Sequence, residues 1–335
     1  MKPSMNLMSG LRLTPGGIHL GHYLGCLTPL DHLNDDILYF VIRDRGLDIE
    51  NISSPNYKNL VDILIDLSST KYAGRINFVL QSKLQVYFAP IFEYIQDIVT
   101  LNQLNNVHPQ RKKIKNRLAV LSIKDYLFPI ESACTYFILD ADRILMNDDN
   151  MATVKFAYNV SKKISTAFNK QIFTYPVLLH GKLPRLLGYN YEKVCKANNN
   201  AIFLSDSAET LENKLNKFLT FKYLFRKEPY LAEQRSNLRE DFIIPDNFLP
   251  FQYMRIFSDQ PDIEEQISVL KSLGRIMDLN ITFKKIMHTF FLNIREKRNE
   301  AKKTEKSLLE KLYGDTRNAE IIAKGVLERF LFLKQ

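Results

Sequence analysis

The sequence lacks several features that would assign it to particular classes of protein. It has no run of about 18 apolar residues, the length that a membrane-spanning helix needs. Its three cysteines, at positions 26, 134 and 195, are scattered and odd in number, which favours reduced thiols over a disulfide framework. Only Lys2 is charged before the first glycine turn, so a cleaved signal peptide is not expected. The sequence therefore predicts a soluble, cytoplasmic protein without a membrane span.

Acidic residues are fewer than basic ones. The chain of 335 residues carries 46 Lys and Arg against 37 Asp and Glu, a formal net charge of +9. This balance indicates a polyanionic partner such as a nucleic acid, although a lysine-rich solvated surface would give the same count. With 45% hydrophobic residues the chain can bury a large core, and its length suggests two domains.

Glycine is also scarce, with 12 residues, yet Gly10, Gly16, Gly17, Gly21 and Gly25 are crowded into one stretch. Glycine is retained where a backbone turns sharply or approaches a ligand closely. A glycine-rich turn that opens a helix directs backbone N–H groups and the positive end of the helix dipole at one point, which suits phosphate. The stretch predicts a phosphate-binding turn.

Two histidines follow that turn, where an apolar periodicity begins. The spacing of His19 and His22 predicts that both lie on one face of the first helical turn, with Gly21 leaving room for a ligand. Imidazoles in this position can hydrogen-bond phosphoryl oxygens and stabilise charge in a transition state. No further ligand stands nearby at matching spacing, so no metal site is predicted. A glycine-rich turn with two incidental histidines remains the alternative.

The first half of the chain alternates between strands and helices. Residues 37–42 and 76–82 are apolar and predict buried strands, and Ser54 with Pro55 predicts the start of a helix between them. Such alternation is typical of an open parallel sheet, which binds ligands beyond the carboxyl ends of its strands. That edge would gather the glycine turn, residues 44–46 and residues 81–82.

The second half is predominantly helical. Asp206 with Glu209 resembles a capping box that begins this part.

The segments between these two parts are less regular. Residues 108–117 are strongly basic, either as an anion-binding loop or as a solvated helix face. Residues 187–200 break all periodicity and predict a loop. Further segments predict helices at 88–104, 152–168, 261–273, 282–303 and 318–332, and an extended stretch at 173–179.

Two motifs carry a family resemblance. His19-Leu-Gly-His22-Tyr-Leu-Gly25 resembles the "HIGH" signature of tryptophanyl-tRNA synthetases, and Lys193-Val-Cys-Lys196-Ala197 resembles their "KMSKS" loop. The resemblance covers essentially the whole chain. It implies a Rossmann-like α/β catalytic domain with a parallel sheet at 1–206, with an inserted helical segment at about 86–135. It also implies an all-α, tRNA-facing domain at 207–335 whose last helix packs back on the catalytic domain.

The resemblance also implies the site residues and the partners. ATP with Mg²⁺, an amino acid and tRNA are the implied ligands, and a homodimer is the implied assembly. The implied catalytic residues are His19, His22, Lys193 and Lys196; the implied ATP-binding residues are Gly10, Gly21, Arg111, Lys113, Asp149 and Asn200; and the implied amino-acid pocket contains Gly46, Phe128, Thr135 and Asn150.

The sequence departs from the family at its loop and pocket. Cys195 and Ala197 replace both loop serines while both lysines remain, so we expect slower adenylation. In the pocket, Thr135 aligns with the aspartate by which the family reads the indole. Phe128 aligns with the family's tyrosine, Asn150 with its glutamine and Gly46 with its histidine. These changes predict a divergent paralogue that binds an amino acid other than tryptophan, or binds tryptophan weakly. An amino-acid-adenylating enzyme with another acceptor and a non-catalytic binder of tRNA or of a partner protein remain alternatives.

Overall fold

The computed structural model describes residues 6–33, 36–44, 47–108, 121–181, 183, 185–220, 244–258, 260–273 and 276–334. The chain forms two compact units. The sheet unit contains Met1–Pro15, His22–Pro184 and Thr304–Gln335, and the helical unit contains Gly16–Gly21 and Arg185–Lys303. Both ends of the chain contribute to the sheet unit, and the predicted domain boundary between residues 206 and 207 stays a prediction.

A parallel sheet of five strands forms the centre of the sheet unit, in the order β3-β2-β1-β4-β5. The strands are β1 (Leu7–Arg12), β2 (Leu38–Arg43), β3 (Ile76–Leu80), β4 (Arg143–Leu145) and β5 (Val177–Leu179). This is the order of a doubly wound, Rossmann-like sheet. The predicted α/β fold class with a parallel sheet is therefore confirmed.

The second predicted strand is too long at its carboxyl end. β3 ends at Leu80, and Gln81 is already the first residue of a helix. The predicted strand at residues 76–82 is therefore wrong at residues 81 and 82. As the first residue of that helix, Gln81 has a completely buried side chain.

Helices surround the sheet, and several begin at side-chain caps. Ser54 caps α2 (Pro55–Ser68) by accepting a hydrogen bond from Asn56 N. The predicted helix at residues 88–104 is in fact two helices, because Thr100 and Gln103 form a capping box that starts a new one. The other helices of this unit are α3 (Gln81–Ile98), α4 (Leu101–Val107), α5 (Ile123–Tyr126), α6 (Phe128–Ile138) and α7 (Met151–Ala167); a short helix α1 at Leu20–His22 follows the glycine turn.

The last helix, α12 (Glu305–Lys334), covers the exposed edge of β3. Phe78 N donates to Asp315 Oδ2 over 2.9 Å, and Leu80 N donates to Thr316 Oγ1 over 3.2 Å. An edge strand with unpaired N–H groups is open to pairing with another chain. Two side chains of α12 therefore accept hydrogen bonds from N–H groups of β3 that a sixth strand would otherwise pair with.

The helical unit contains α8 (Ala208–Phe218), α9 (Leu249–Phe257), α10 (Ile263–Leu273) and α11 (Ile276–Lys303). Buried aromatic rings join them: Phe218 lies 4.8 Å from Tyr253 and 6.1 Å from Phe283 between ring centroids. The predicted capping box at Asp206 is wrong by one residue, because Ser207 caps α8 and accepts a hydrogen bond from Thr210 N. Among the described residues, no helix is both long enough and apolar enough to cross a bilayer.

Replacing Thr316 by valine tests whether α12 protects the sheet edge. The change removes the acceptor of Leu80 N–H from a buried site, so we expect the free energy of unfolding to fall by about 1–2 kcal/mol in urea titrations. Thr166→Val is the matched control, because both hydroxyls donate to the carbonyl four residues earlier but Thr166 is exposed. Equal losses in the two variants would show that the edge contact contributes nothing.

Candidate active site

The glycine turn links β1 to α1. Gly16 and Gly17 have φ angles of +91° and +62°, which side chains rarely tolerate. A Cβ on Gly16 would also lie 3.0 Å from the ring of Phe203. Only His22 lies in α1; His19 precedes the helix and forms an antiparallel bridge with Phe203. The prediction that both histidines share a helical turn is therefore wrong for His19.

Two backbone hydrogen bonds join the glycine turn to the segment that follows the lysine loop. Leu20 N donates to Ile202 O over 2.9 Å, and Leu204 N donates to Ile18 O over 2.8 Å. Both segments belong to the helical unit. The pairing places His19 beside the segment on which the lysine loop ends, although the two lie far apart in the sequence.

The positive charges of the two lysines act on His19. His19 is 6% exposed, and its pKa is lowered to about 3, first by burial and then by the positive charges of Lys196 and Lys193. Burial also lowers the pKa of Lys196 to about 8 and lowers that of Lys193. Around neutral pH the site thus has a neutral imidazole, which can donate one hydrogen bond, beside partly desolvated ammonium groups.

Phe203 is the side chain that these groups share. Its ring centroid lies 6.1 Å from the His19 ring and 5.8 Å from Lys196 Nζ, within the range of cation–π attraction. Asp206, 9% exposed, accepts a hydrogen bond from Phe203 N over 2.9 Å. Lys214 Nζ in turn donates to both oxygens of Asp206, over 2.8 and 2.7 Å. Asp206, which precedes α8, and half-buried Lys214 of α8 therefore form an ion pair that supports the residue whose ring contacts His19 and Lys196.

Asn200 organises the lysine loop from inside. Its Oδ1 accepts a hydrogen bond from Cys195 N over 2.9 Å, while Nδ2 donates to Asn190 Oδ1 over 2.8 Å and to Lys193 O over 3.0 Å. A Cβ on Gly188 would come within 2.7 Å of this amide. The ATP contact of Asn200 stays a prediction, and because its amide is engaged within the loop, a positioning role is the alternative.

Two of the predicted pocket residues, Phe128 and Thr135, lie on α6. Phe128 and Thr135 are both buried, and the guanidinium of Arg43 lies 4.6 Å from the Phe128 ring centroid. Arg43 Nη2 also donates to Ser132 Oγ over 3.1 Å. Gln81 Nε2 donates to Thr135 Oγ1 over 3.0 Å. The sequence analysis did not include Arg43 among the site residues. Its position as the one cation at the end of an otherwise apolar strand could have indicated it.

The other predicted residues of the sheet unit have local contacts. Gly10 pairs with Val41 in the sheet, where a Cβ would overlap the Val41 carbonyl, so packing alone requires a glycine there. Asp149 and Asn150 lie in a 3₁₀ turn before α7, and Asn150 N donates to Asn147 O over 3.0 Å. ATP or amino-acid contacts of these residues stay predictions.

The structure thus brings one part of the predicted site together within the helical unit: His19, Gly21, Lys193, Lys196 and Asn200. The sheet unit contains Gly10, His22, Phe128, Thr135, Asp149 and Asn150. Gly46, Arg111 and Lys113 lie outside the described residues. No group of three or more His, Cys, Asp or Glu side chains suited to a metal ion occurs in the described parts of the chain.

Residues 2–244 match the family model of class I tRNA synthetases for tryptophan and tyrosine. The chain belongs to this family. The tryptophan–tRNA ligase of Chlamydia caviae is 24% identical over 346 residues, covering 98% of this chain and 95% of the relative. That of Borreliella burgdorferi is also 24% identical, covering 96% and 91%. At these identities the chain is a divergent member of the synthetase family.

Solved structures of the family share the fold. The tryptophanyl-tRNA synthetase of Campylobacter jejuni complexed with ADP and tryptophan matches with a TM-score of 0.75 at 19% identity, over 97% of this chain and 98% of that one. The Mycoplasma pneumoniae enzyme matches with a TM-score of 0.74 at 15% identity, over 98% and 97%. The fold of this synthetase chain therefore agrees with the family that its sequence matches.

The pKa of Lys196 predicts how nucleotide binding depends on pH. The ammonium is present below about pH 8 and is lost above it, and a bound polyphosphate favours the charged form. We expect ATP affinity, measured by calorimetry, to fall as the pH rises through about 8, by at most tenfold per pH unit. In Lys196→Arg this fall should be smaller, because guanidinium stays charged and only Lys193 still titrates. A pH profile shared by both proteins would contradict the assignment to Lys196.

Truncating Asn200 tests its positioning role. Asn200→Ala leaves the N–H of Cys195 without its acceptor, so we expect a loss of about 1–3 kcal/mol in the free energy of unfolding and weaker ATP binding. Asn216→Ala, an exposed asparagine on α8 in the same unit, is the control and should change neither quantity. If Asn200→Ala weakens ATP binding without any loss of stability, a direct contact with ATP explains the result better.

Proposed function

We propose that this synthetase family member activates an amino acid with ATP and transfers it to tRNA, with an amino-acid pocket that differs from that of ordinary tryptophan enzymes. The observation that carries the proposal is the convergence of His19, Lys193 and Lys196 in the helical unit. Cationic and hydrogen-bonding groups at one point suit a reaction that develops charge on phosphate oxygens. The family supports this reaction class.

Activation joins an amino-acid carboxylate to the α-phosphate of ATP. A carboxylate oxygen forms the new P–O bond, the bond from the α-phosphorus to the α–β bridging oxygen breaks, and pyrophosphate leaves with the electron pair. The barrier falls where fixed charges stabilise the extra negative charge of the transition state. Lys193 and Lys196 would supply cations there, and neutral His19 would donate a hydrogen bond to a phosphate oxygen.

Mg²⁺ would neutralise part of the triphosphate charge when it is bound. The ion commonly binds substrate phosphates and water with only one or two protein carboxylates. The described residues fit that mode, because no cluster of three acidic or other ligand side chains occurs among them. In the proposed mechanism the phosphates would therefore hold the ion, and the two lysines would act directly on the nucleotide.

The contacts of the pocket support a changed amino-acid specificity. Thr135 is neutral and already hydrogen-bonded to Gln81, and Phe128 carries no hydroxyl. A buried hydrogen bond to a charged acceptor commonly contributes about 1.5–3 kcal/mol, which is more than a neutral acceptor such as a threonine hydroxyl contributes. The proposed substrate is therefore an amino acid other than tryptophan, or tryptophan bound with lower affinity.

Family membership and charge support the remaining proposals. A net charge of +9 suits the binding of tRNA, whose affinity should fall as salt rises. The α helices that follow residue 207 would face the tRNA. We also propose a cytoplasmic location, which the scattered, odd-numbered cysteines favour, and a homodimer, on the basis of the family resemblance alone.

ATP–pyrophosphate exchange with each protein amino acid tests the proposal. We expect exchange with at least one amino acid, and Lys196→Ala should lower it by about 10²–10³-fold because a transition-state cation is lost. Lys162→Ala is the matched control, because Lys162 Nζ also lies over an aromatic ring, 5.2 Å from the ring centroid of Tyr158, but in the sheet unit. The control should leave exchange unchanged.

The outcomes separate the alternatives. Exchange followed by tRNA charging supports a tRNA ligase, whereas exchange without charging of any tRNA indicates another acceptor. No exchange with any amino acid would identify a non-catalytic binder. Strong, exclusive activation of tryptophan would refute the altered pocket but not the reaction.

A further inference from the structure

A buried polar chain follows the carboxyl end of β3. Gln81 is the first residue of α3, and its side chain is completely buried. Its Nε2 donates to Thr135 Oγ1 over 3.0 Å. Its Oε1 is shielded from solvent and has no hydrogen-bond partner among the described residues. The amide nitrogen of Gln81 thus has a hydrogen-bond partner, and among the described residues its amide oxygen has none.

The orientation of this amide follows from its neighbour. Thr135 Oγ1 lies 2.8 Å from Glu131 O, and a carbonyl oxygen can only accept, so the Thr135 hydroxyl donates to it. The remaining lone pairs of Oγ1 must then accept a hydrogen bond, which only the nitrogen end of Gln81 can donate. The unsatisfied atom is therefore the oxygen, an acceptor.

A buried acceptor without a donor is costly. It disfavours the folded state by a factor of about 5 to 150 in equilibrium terms, and most buried polar groups in proteins are satisfied. A group retained in this condition needs an explanation, and a ligand that donates a hydrogen bond is one. Because the atom is shielded, a ligand reaches it only when neighbouring side chains move on binding.

The position of Gln81 favours a ligand over a packing defect. Parallel α/β sheets bind ligands beyond the carboxyl ends of their strands, and Gln81 directly follows the last residue of β3. Arg43 ends the neighbouring strand β2 and lies above Phe128. Phe128, Ser132 and Thr135 have helical spacing that places them along one face of α6.

We propose that Gln81 Oε1 reads the side chain of the substrate amino acid by accepting a hydrogen bond from it. The substrate would then carry an N–H or O–H donor on its side chain, as an indole or a phenol does. Side chains of similar shape without a donor would be rejected, because they leave the acceptor unsatisfied. This inference rests on the proposed function, since it assigns the amino-acid pocket of that reaction.

Calorimetric binding of matched amino-acid pairs to the full chain tests the inference without ATP. The pairs are tryptophan with its benzothiophene analogue, in which sulfur replaces the indole N–H, and tyrosine with phenylalanine. We expect the wild type to bind the donor-bearing member of at least one pair about 10-fold more tightly or better. In Gln81→Met this preference should disappear, because the methionine thioether is only a weak hydrogen-bond acceptor.

Further variants separate reading from folding. Gln81→Glu keeps an acceptor at this position and should keep the preference. Gln252→Met is the matched control, because Gln252 Oε1 is also buried without a partner in the described structure but belongs to α9 of the helical unit; it should leave the preference unchanged. A preference that survives in Gln81→Met, or a wild type that binds neither member of either pair, would overturn the inference.

The two proposals fail in different ways. Donor-selective binding that depends on Gln81, without ATP–pyrophosphate exchange, supports the inference and contradicts the proposed function. Exchange whose amino-acid preference is unchanged in Gln81→Met supports the proposed function and overturns the inference.

Discussion

The backbone pairing of residues 18–20 with residues 202–204 is the constraint on which the candidate site depends. It uses two hydrogen bonds and so contributes little to stability, but it fixes which side chains become neighbours. His19 and Phe203 face each other across it, and Lys196 lies within reach of the same ring. Burial lowers the pKa of His19 and of both lysines, and the nearby positive charges of Lys196 and Lys193 lower the pKa of His19 further.

Polar groups support that pairing and the lysine loop through hydrogen bonds to the backbone. Asp206 accepts a hydrogen bond from the backbone of Phe203 and is held by Lys214. Asn200 holds the lysine loop through hydrogen bonds to its backbone. A reaction that depends on placing charges needs such rigid support, because small displacements of a cation reduce its effect on the transition state.

Buried polar groups have a different role in the sheet unit. At the edge of β3, Asp315 and Thr316 satisfy N–H groups that a neighbouring strand would otherwise bond. At the carboxyl end of the same strand, Gln81 keeps an acceptor that the described residues leave unsatisfied. The edge of β3 is thus closed by its own chain, and its carboxyl end is followed by the acceptor at which we propose that the substrate is read.

Much of the fold could be predicted from the sequence because its signals are local. The apolar run of β2 and the Ser54-Pro55 cap of α2 each depend on a few adjacent residues, and both were close to the observed boundaries. Boundaries failed where a neighbouring element decided them, as at Gln81 and at the Thr100 capping box. The motif residues His19, Lys193 and Lys196 were also readable, since glycine crowding and paired lysines are local patterns.

The sequence by itself therefore determined the fold class, the family and the types of residue at the candidate site. Tertiary structure alone decided which of those residues meet, that His19 stands outside the helix, and that Asn200 and Thr135 use their polar atoms within the protein. The physical reason is that a hydrogen bond or a pKa shift depends on distances between groups remote in the chain. Those distances exist only after the apolar segments have packed.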